Sequence, residues 1–406
     1  LSREDFLSTF PERTENRTSD SDFLKRTYMP NKANDDVTDM PVTGSDKTDY
    51  TLDDMLGLSY DDPKWDQLVS QLSIKEMADL CGNGGLHTNA IESIKKPKTK
   101  DSDGPAGFNT QIFGSDAGYA TSYPCETLVA ATWNWKLAYL MGCSVANEAE
   151  QAGIDGWYGP ACNIHRNPLG GRNYEYYSED PILSGILVSY VVEGARENGL
   201  YSFTKHFVAN ETENTRAGGY TWLTEQALRE NYLKPFEMAV KKGKTIGIMS
   251  SYNRIGSTRT SGSYRLLTTV LREEWGFEGC VISDYNNNIP VLCPDEAIRA
   301  GNDLMMEVSG GSQMFKDTSS ATAVTCFQRG TKNILYMYVK AQYDRKTSQG
   351  LDIDSIIDSR KNNSEAFPWW IPTLVAVEAV IFLGLGTWFY FVFRSRKKEK
   401  EEEEKE

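Results

Sequence analysis

The sequence predicts an α/β fold followed by one helix that spans a membrane, and three observations lead to this prediction. Strand and helix signals alternate over residues 51–366, which is typical of parallel βαβ units. No Gly-x-Gly-x-x-Gly turn opens any helix, which disfavours a doubly wound sheet. An apolar run at 369–393 is long enough to cross a bilayer. The predicted fold class is therefore a (β/α)8, TIM-like barrel followed by one C-terminal transmembrane helix.

Composition excludes several classes of function. The chain has 406 residues, with 43 Lys and Arg against 57 Asp and Glu, so its net charge of −14 argues against nucleic acid as a partner. Seven cysteines without a Cys-x-x-Cys pair form neither a disulfide scaffold nor a zinc cluster, and they are predicted to be mostly buried thiols. No metal-ligand spacing occurs around the three histidines. We therefore expect no metal site.

The first 50 residues are polar and acidic and show little periodicity. Residues 1–50 are therefore predicted to be an acidic linker or the remnant of an upstream domain. The chain begins with Leu1, and its first ten residues contain no apolar stretch long enough for a secretory signal. We expect further sequence upstream of Leu1 for this reason.

The barrel is predicted over residues 51–366. Asp180 and Pro181 supply an N-cap and a first-turn proline to a helix that is expected to end at Gly199. Glycines at 243 and 276 close two later helices in the same way. These two helices are predicted at 224–242 and 264–275, and a further helix is predicted at 295–300. The predicted strands are 201–205, 245–250, 280–283 and 303–307.

The C-terminal region is predicted to anchor the chain in the cell membrane. Residues 369–393 contain one ionisable side chain, Glu378, and carry tryptophan and tyrosine towards both ends. The charged tail 394–406 begins with four basic side chains among five residues, so the positive-inside rule places it in the cytoplasm and the barrel outside. A buried helix of a soluble protein is the alternative. Asn16, Asn210 and Asn362 each match the glycosylation sequon, a triplet that also arises by chance.

Polar side chains follow the predicted strands, where the active site of such a barrel lies. Each of them alone could be a cap or a surface residue, but their joint placement at successive strand ends favours a functional site. Charged groups bind sugar hydroxyls strongly, and aromatic faces stack on C–H surfaces, so the set predicts a pocket for a neutral ligand with many hydroxyls. The set is Asp103, Asn163, His165, Arg172, Lys205, His206, Tyr252, Asn253 and Asp284.

Several long motifs resemble the catalytic barrel of glycoside hydrolase family 3, the β-glucosidase family. They include GPACNIHRNPLGGRNYEYYSEDPILSG, KHFVANETENTR and LREEWGFEGCVISD, and the resemblance covers about residues 60–310. It implies a retaining exo-β-glycosidase that hydrolyses terminal non-reducing β-D-glucosyl residues through a covalent glycosyl-aspartate. Such an enzyme would act on a carbohydrate and would need no cofactor.

The resemblance also implies roles for individual residues. Asp284 in CVISD would be the nucleophile, and Tyr252 would lie beside it. Tyr285 stands where the family commonly has tryptophan, which keeps an aromatic face and leaves the sugar specificity open. The hydroxyls of the terminal sugar would be held by Asp103, Arg172, Lys205 and His206.

The general acid is not identified by the sequence. In the family it is usually a glutamate from a second, sandwich-like domain, and no such domain follows the barrel here. A subgroup of the family has the reversed domain order, so we expect the acid to come from a missing upstream domain. The loop after Lys205-His206 contains no further histidine, which sets aside the family's Asp–His alternative. Glu175, Glu211 and Glu213 are local candidates, although a structural role is favoured for them.

Two other functions are considered. A β-xylosidase on the same scaffold would have a nearly identical sequence around the sugar. A surface glycan-binding protein that has lost turnover would also keep the polar strand ends, and the unidentified acid favours it.

Overall fold

The computed structural model describes residues 37–45, 49–109, 120–213, 216, 219–285, 292–348 and 370–403. The chain divides into two compact units, with the boundary after residue 349. The first unit contains a parallel sheet with its surrounding helices. The second contains the C-terminal helix. The predictions for residues 1–36 and 349–369, which include Asn16 and Asn362, lie outside the described residues.

Five parallel strands form one sheet in the first unit. They follow each other in chain order, and the register places Asp103 opposite Tyr158 and Ile248 opposite Val281. Because all five strands are parallel, their carboxyl ends meet at one edge of the sheet. The strands are β1 (Asp101–Asp103), β2 (Gly156–Tyr158), β3 (Tyr201–Phe207), β4 (Gly247–Ser250) and β5 (Cys280–Ile282).

The helices lie where the glycine and proline signals place them. Asp180 caps the predicted helix as expected, since its Oδ1 accepts from the backbone N–H of Ile182 at 2.7 Å. The predicted helix 224–242 is instead three consecutive pieces, and Pro235, which cannot donate a backbone hydrogen bond, lies in the first turn of the last piece. The α-helices of the first unit are Lys64–Ser70, Ile74–Cys81, Glu126–Ala131, Trp135–Ala152, Pro181–Glu197, Glu225–Ala227, Lys234–Lys241, Pro294–Ala300 and Ala321–Thr347; wider π-type helices cover Leu228–Tyr232 and Arg265–Glu274.

The predicted strand at 303–307 is wrong as a regular strand. Only Leu304 forms a bridge to the sheet, opposite Ile282. The reason is the Asp303 carboxylate, whose Oδ2 accepts the backbone N–H of Val281 at 2.8 Å in place of a backbone carbonyl. Asp303 also accepts from Arg272 Nη2 at 2.6 Å. A side chain therefore replaces part of the ladder at this point.

Backbone hydrogen bonds continue beyond both outer strands of the sheet. Met305 N donates to Cys81 O at 2.7 Å, and Gly84 N donates to Met305 O at 2.8 Å. On the other side Asp101 N donates to Leu86 O at 2.8 Å. The segment 81–86 thus connects the neighbourhood of β5 to β1. In the described residues the parallel sheet has five regular strands, and a separate three-stranded sheet consists of Tyr220–Thr221, Arg254–Ile255 and Thr258–Arg259. The eight-stranded (β/α)8 barrel therefore stays a prediction.

Alternate residues of each strand pack into two different cores. Tyr158, Met249 and Ile282 belong to one buried cluster with the helices Ile74–Cys81 and Ala321–Thr347. Trp157 and Val281 point to the opposite face and pack with the helices Trp135–Ala152 and Pro181–Glu197. Burial of both faces explains why these strands read as nearly continuous apolar runs.

Residues 37–45 of the predicted linker contact the first unit. Gly44 N donates to Leu72 O at 3.0 Å, and the Gln328 side chain donates to Val42 O at 2.7 Å.

Asn210, one of the sequon asparagines, is only 2% exposed. None of the seven cysteines forms a disulfide in the described part of the chain, and five of them are buried.

The second unit contains one helix, Trp370–Glu403. Its segment Ala376–Arg394 has the length and the apolar composition needed to cross a bilayer. Length and composition alone are weak support for a membrane span, because core helices of soluble proteins pass the same test.

Candidate active site

A cleft of about 580 Å³ opens at the carboxyl-terminal edge of the sheet. It is lined by the ends of β1, β3, β4 and β5 and by loop residues that follow β2. All seven residues singled out as catalytic or sugar-binding in the sequence line it: Asp103, Arg172, Lys205, His206, Tyr252, Asp284 and Tyr285.

Asp284 follows β5 by two residues and points its carboxylate into the cleft. The side chain is 13% exposed, and its Oδ1 accepts the backbone N–H of Tyr285 at 2.7 Å. Its Oδ2 has no hydrogen-bond partner among the described residues. Burial raises the pKa of Asp284, and the Tyr285 N–H together with Arg172 and Lys205 offsets only part of that effect. One oxygen is therefore held by a backbone N–H, while the other is buried without a hydrogen-bond partner in the described chain.

His206 lies beside this carboxylate. Its Nε2 is 3.9 Å from Asp284 Oδ2, and within the described chain its Nδ1 has no partner. Burial lowers the pKa of His206 well below its usual range, and Arg172 and Lys205 lower it further. The imidazole is therefore neutral at physiological pH and can donate or accept one hydrogen bond to a ligand.

Asp103 and Lys205 form an ion pair across the floor of the cleft. Lys205 Nζ donates to Asp103 Oδ1 at 2.6 Å, and the same oxygen accepts the Gly104 N–H at 2.9 Å. Burial alone would raise the pKa of Asp103, but Lys205 and the Gly104 N–H hold it below its usual value. The pair thus presents one ionised carboxylate and one ammonium to a ligand.

A second charged group lies on the loop after β2. The Arg172 guanidinium donates to both carboxylate oxygens of Glu175, at 2.8 Å and 2.5 Å. Glu213 is 3.9 Å from Arg172 and 3.4 Å from Arg216 Nε, so it bridges the two arginines. Burial would raise the pKa of Glu175, but Arg172 keeps it below its usual value. Arg172 therefore keeps Glu175 ionised, and Glu213 lies within ion-pair distance of both arginines.

Four tyrosines line the cleft, namely Tyr158, Tyr174, Tyr252 and Tyr285. Tyr252 OH donates to the backbone carbonyl of Tyr285 at 2.6 Å, which joins the end of β4 to the end of β5. Burial and the nearby Asp284 raise the pKa of Tyr252, so its hydroxyl stays protonated. The Arg216 guanidinium lies 5.1 Å from the centre of the Tyr252 ring.

Three residues of the predicted set do not line the cleft. His165 Nε2 lies 2.9 Å from the carbonyls of Asn173 and Tyr176, and Asn253 donates to Val208 O at 3.1 Å, so both support loops. Asn163 bonds the backbone of His206. Sequence reasoning missed Glu175, Glu213 and Arg216 as an ion-pair network, although Arg216 ends the KHFVANETENTR motif and both glutamates were noticed as candidate acids.

No cluster of histidine, cysteine, aspartate or glutamate in the described ranges is arranged to hold a metal ion.

Comparison with known proteins shows the family to which this chain belongs. Residues 109–321, just over half of the chain, match the Glycosyl hydrolase family 3 N terminal domain. The chain belongs to glycosyl hydrolase family 3. The matched range contains every cleft residue named above except Asp103.

Curated relatives share this part of the chain. Beta-glucosidase A of Butyrivibrio fibrisolvens is 39% identical over 227 residues, which is 54% of this chain and 27% of that protein. A putative beta-glucosidase of Schizosaccharomyces pombe is 39% identical over 243 residues, 59% of this chain and 29% of that protein. The chain thus spans less than a third of the length of these family 3 relatives.

Solved structures of β-glucosidases are also similar to this chain over part of their length. Beta-glucosidase 3B from Thermotoga neapolitana, in complex with alpha-D-glucose, superposes with a TM-score of 0.60 at 34% identity. That match covers 73% of this chain and 45% of the solved chain. A family 3 beta-glucosidase from Bifidobacterium adolescentis gives a TM-score of 0.64 at 31% identity, over 71% of this chain and 42% of that chain.

Proposed function

We propose that this chain carries the nucleophile and the sugar-binding residues of a retaining exo-β-glycosidase that acts on terminal non-reducing β-D-glucosyl residues. The observation that carries the proposal is Asp284. Asp284 lines the cleft, and one of its oxygens accepts a backbone N–H at 2.7 Å. The other oxygen, Oδ2, is buried, has no hydrogen-bond partner in the described chain and lies 3.9 Å from His206 Nε2. The family's curated relatives are named β-glucosidases, and one solved relative holds glucose.

The surroundings of Asp284 suit a carboxylate that attacks an anomeric carbon. A rigid strand end aims it, and the ionised Asp103–Lys205 and Arg172–Glu175 pairs lie around the same cleft to bind sugar hydroxyls. Retention requires a second acid about 5–5.5 Å from the nucleophile, which protonates the leaving oxygen. Asp284 would attack first and would later be released by water.

The acid has no candidate among the described cleft residues. Arg172 keeps Glu175 ionised, which leaves it no proton to donate, and Glu213 lies within ion-pair distance of two arginines. Burial raises the pKa of Glu211 to about 8, which suits an acid, but Glu211 does not line the cleft. We propose that the acid comes from the upstream domain that the sequence predicts.

Mechanism-based labelling tests the nucleophile. Incubation with a 2,4-dinitrophenyl 2-deoxy-2-fluoro-β-glucoside should add one fluorosugar mass to the peptide that carries Asp284, because the good leaving group needs no acid. Asp284→Asn keeps the shape of the side chain and should show no label. Glu150→Asn, at an exposed position, is the matched control and should label normally. A label on any other peptide would overturn the assignment.

The unidentified acid supports a second candidate function, a surface glycan-binding protein without turnover. Azide rescue separates the two. If Asp284 is an active nucleophile, azide should accelerate the release of dinitrophenol from the activated glucoside on the wild-type chain. If the chain only binds glycans, azide has no effect while glucose still binds. A β-xylosidase would instead prefer the aryl xyloside to the aryl glucoside in kcat/KM.

We further propose that the chain is a single-pass protein of the cell membrane with its barrel outside and its tail in the cytoplasm. The apolar segment Ala376–Arg394 supports the span, and the basic residues that follow it support the orientation. A β-glucosidase anchored in this way would act on extracellular oligosaccharides or β-glucosides.

A further inference from the structure

The Asn163 side chain takes the place of a strand beside His206. Up to Lys205, β3 is paired by backbone: Cys162 N donates to Lys205 O at 2.8 Å, and Lys205 N donates to Pro160 O at 3.1 Å. At His206, one residue further along, the hydrogen-bond partner is the Asn163 side chain and not a backbone group. Asn163 Nδ2 then donates to His206 O at 2.9 Å, and Asn163 Oδ1 accepts His206 N–H at 2.8 Å.

These two bonds are buried and have no solvent replacement. Asn163 is 1% exposed, and His206 is buried as well. A buried backbone group that loses its hydrogen-bond partner destabilises the fold, so the carboxamide holds both His206 backbone groups in one orientation. A third contact comes from Glu211, whose Oε1 lies 3.4 Å from Asn163 Nδ2 and fixes the rotation of the amide.

The orientation of the His206 ring depends on these two hydrogen bonds to its backbone. Its Nδ1 has no hydrogen-bond partner among the described residues, and its Nε2 is 3.9 Å from Asp284 Oδ2. Side-chain bonds therefore do little to orient the imidazole. Its position beside the nucleophile is set by the backbone from which it projects.

We propose that Asn163 is the positioning residue for His206: its carboxamide fixes the His206 backbone and thereby aims the imidazole Nε2 into the cleft beside Asp284. Asn163 does not line the cleft and touches no ligand there. The consequence for turnover rests on the proposed glycosidase function, whereas the effect on the imidazole does not.

Histidine NMR tests the positioning without relying on activity. The chain has three histidines, His87, His165 and His206. A full chain labelled with 15N-histidine in detergent therefore gives three sets of imidazole 15N signals, each from one Nδ1 and one Nε2. The His206 signal is assigned by its loss in His206→Ala. In Asn163→Ala the His206 signal should shift or broaden, and the other two should stay in place. Asn163→Asp has the same shape but lacks the donor, and it should reproduce this change.

Asn302→Ala is the matched control for loss of a buried amide. Asn302 is fully buried, donates to Leu304 O at 3.0 Å and accepts from Ser250 Oγ at 2.9 Å, but it does not contact His206. It should destabilise the chain and leave the His206 signal unchanged. An unchanged His206 signal in folded Asn163→Ala would overturn the proposal, as would an equal shift in Asn302→Ala.

A double-mutant cycle with the 2,4-dinitrophenyl β-glucoside tests the consequence for turnover. Asn163→Ala should lower kcat/KM about 10- to 100-fold in the wild-type background, since a misplacement of about 1 Å can have this effect. In His206→Ala the same change should cost less than about twofold, because no imidazole remains to be misplaced. Equal losses in both backgrounds would overturn the role through His206. Failure of the proposed function would appear differently, as no wild-type turnover and no glucose-induced shift at His206.

Discussion

Asp284 and Asp103 are both carboxylates at strand ends of the same cleft, and their surroundings move their pKa values in opposite directions. Burial dominates at Asp284 and raises its pKa, whereas Lys205 in direct contact lowers that of Asp103. Arg172 and Lys205 lower the pKa of Asp284, but they do not outweigh the effect of burial.

The raised pKa of Asp284 predicts a shifted acid limb in the pH profile. Attack requires the carboxylate, so kcat/KM for the dinitrophenyl glucoside should rise with pH through a value above that of an ordinary aspartate, about 4. Lys205→Met removes a nearby positive charge and should move the limb to higher pH. The exposed Lys75→Met is the control and should leave it in place. A limb that moves to lower pH in Lys205→Met would contradict this.

Glu211 predicts a pH-dependent stability. Burial raises its pKa to about 8, although Asn163 and Arg166 act in the opposite direction, and Cys162, Tyr176 and Tyr232 are its other titratable neighbours. Between about pH 4.5 and 8 the folded state holds a proton that the unfolded state has lost, so this contribution to stability is present at low pH and disappears as pH rises.

Glu211→Gln keeps the neutral shape at every pH and should remove this dependence. At pH 9 the variant should be more stable than the wild type by about 2–4 kcal/mol, and at pH 4 the difference should be small. Urea unfolding at several pH values measures it. The exposed Glu150→Gln should follow the wild-type profile. A constant difference between Glu211→Gln and wild type at all pH values would refute the assignment.

At the scale of single elements, the turn after β1 decides where Asp103 lies. Gly104 has a φ of +130°, and a Cβ there would lie 1.9 Å from the carbonyl oxygen of Gly107. Its N–H holds Asp103 Oδ1, and its carbonyl accepts from the Trp157 indole at 2.7 Å. The glycine is thus required for both the turn and the carboxylate.

Gly104→Ala should therefore lower stability by at least about 2 kcal/mol and reduce kcat/KM at least tenfold. Gly153→Ala provides the comparison: its φ is also positive, at +63°, but no described atom lies within 4 Å of the added Cβ. It should cost about 1 kcal/mol and leave kcat/KM unchanged. Thermal unfolding and kinetics measure both effects, and similar activity losses in the two variants would argue against the turn.

The elements were predictable where local signals agree with the fold. Asp180, Pro181 and the closing glycines mark helix ends by their own chemistry, and apolar runs buried on both faces mark strands. Residues 303–307 failed because they also read as an apolar strand, yet the Asp303 carboxylate takes a ladder position. No local pattern reveals a side chain that replaces backbone.

The same limit applies to the site. Strand-end position and motif resemblance located all seven predicted cleft residues, since both signals belong to the sequence itself. Partners did not follow from either signal. That Asn163 bonds the His206 backbone depends on a loop and a strand meeting in space although the two residues are 43 positions apart in the sequence.

For the whole molecule, the membrane helix makes the clearest prediction. The full chain should sediment with membranes and resist alkaline carbonate extraction. Val380→Arg together with Leu383→Arg should release it, because each arginine near the bilayer centre costs about 2.5–3.5 kcal/mol. The control is the pair Leu128→Arg and Leu137→Arg, at exposed positions of the first unit, which should remain bound. Carbonate-resistant binding of the Val380–Leu383 variant would refute the span.

The burial of Asn210 has a consequence for how the chain matures in a host that glycosylates exported proteins. Oligosaccharyltransferase acts on extended, accessible chain, and the folded protein hides this asparagine, which is 2% exposed. Any glycan at Asn210 must therefore be added before its loop folds, and the bulky sugar would then keep the loop from packing against Tyr176 and Asn163. The fraction of molecules glycosylated at Asn210 would then depend on the rate of modification relative to the rate of folding. Glycosylated and unglycosylated molecules would form two populations of different activity.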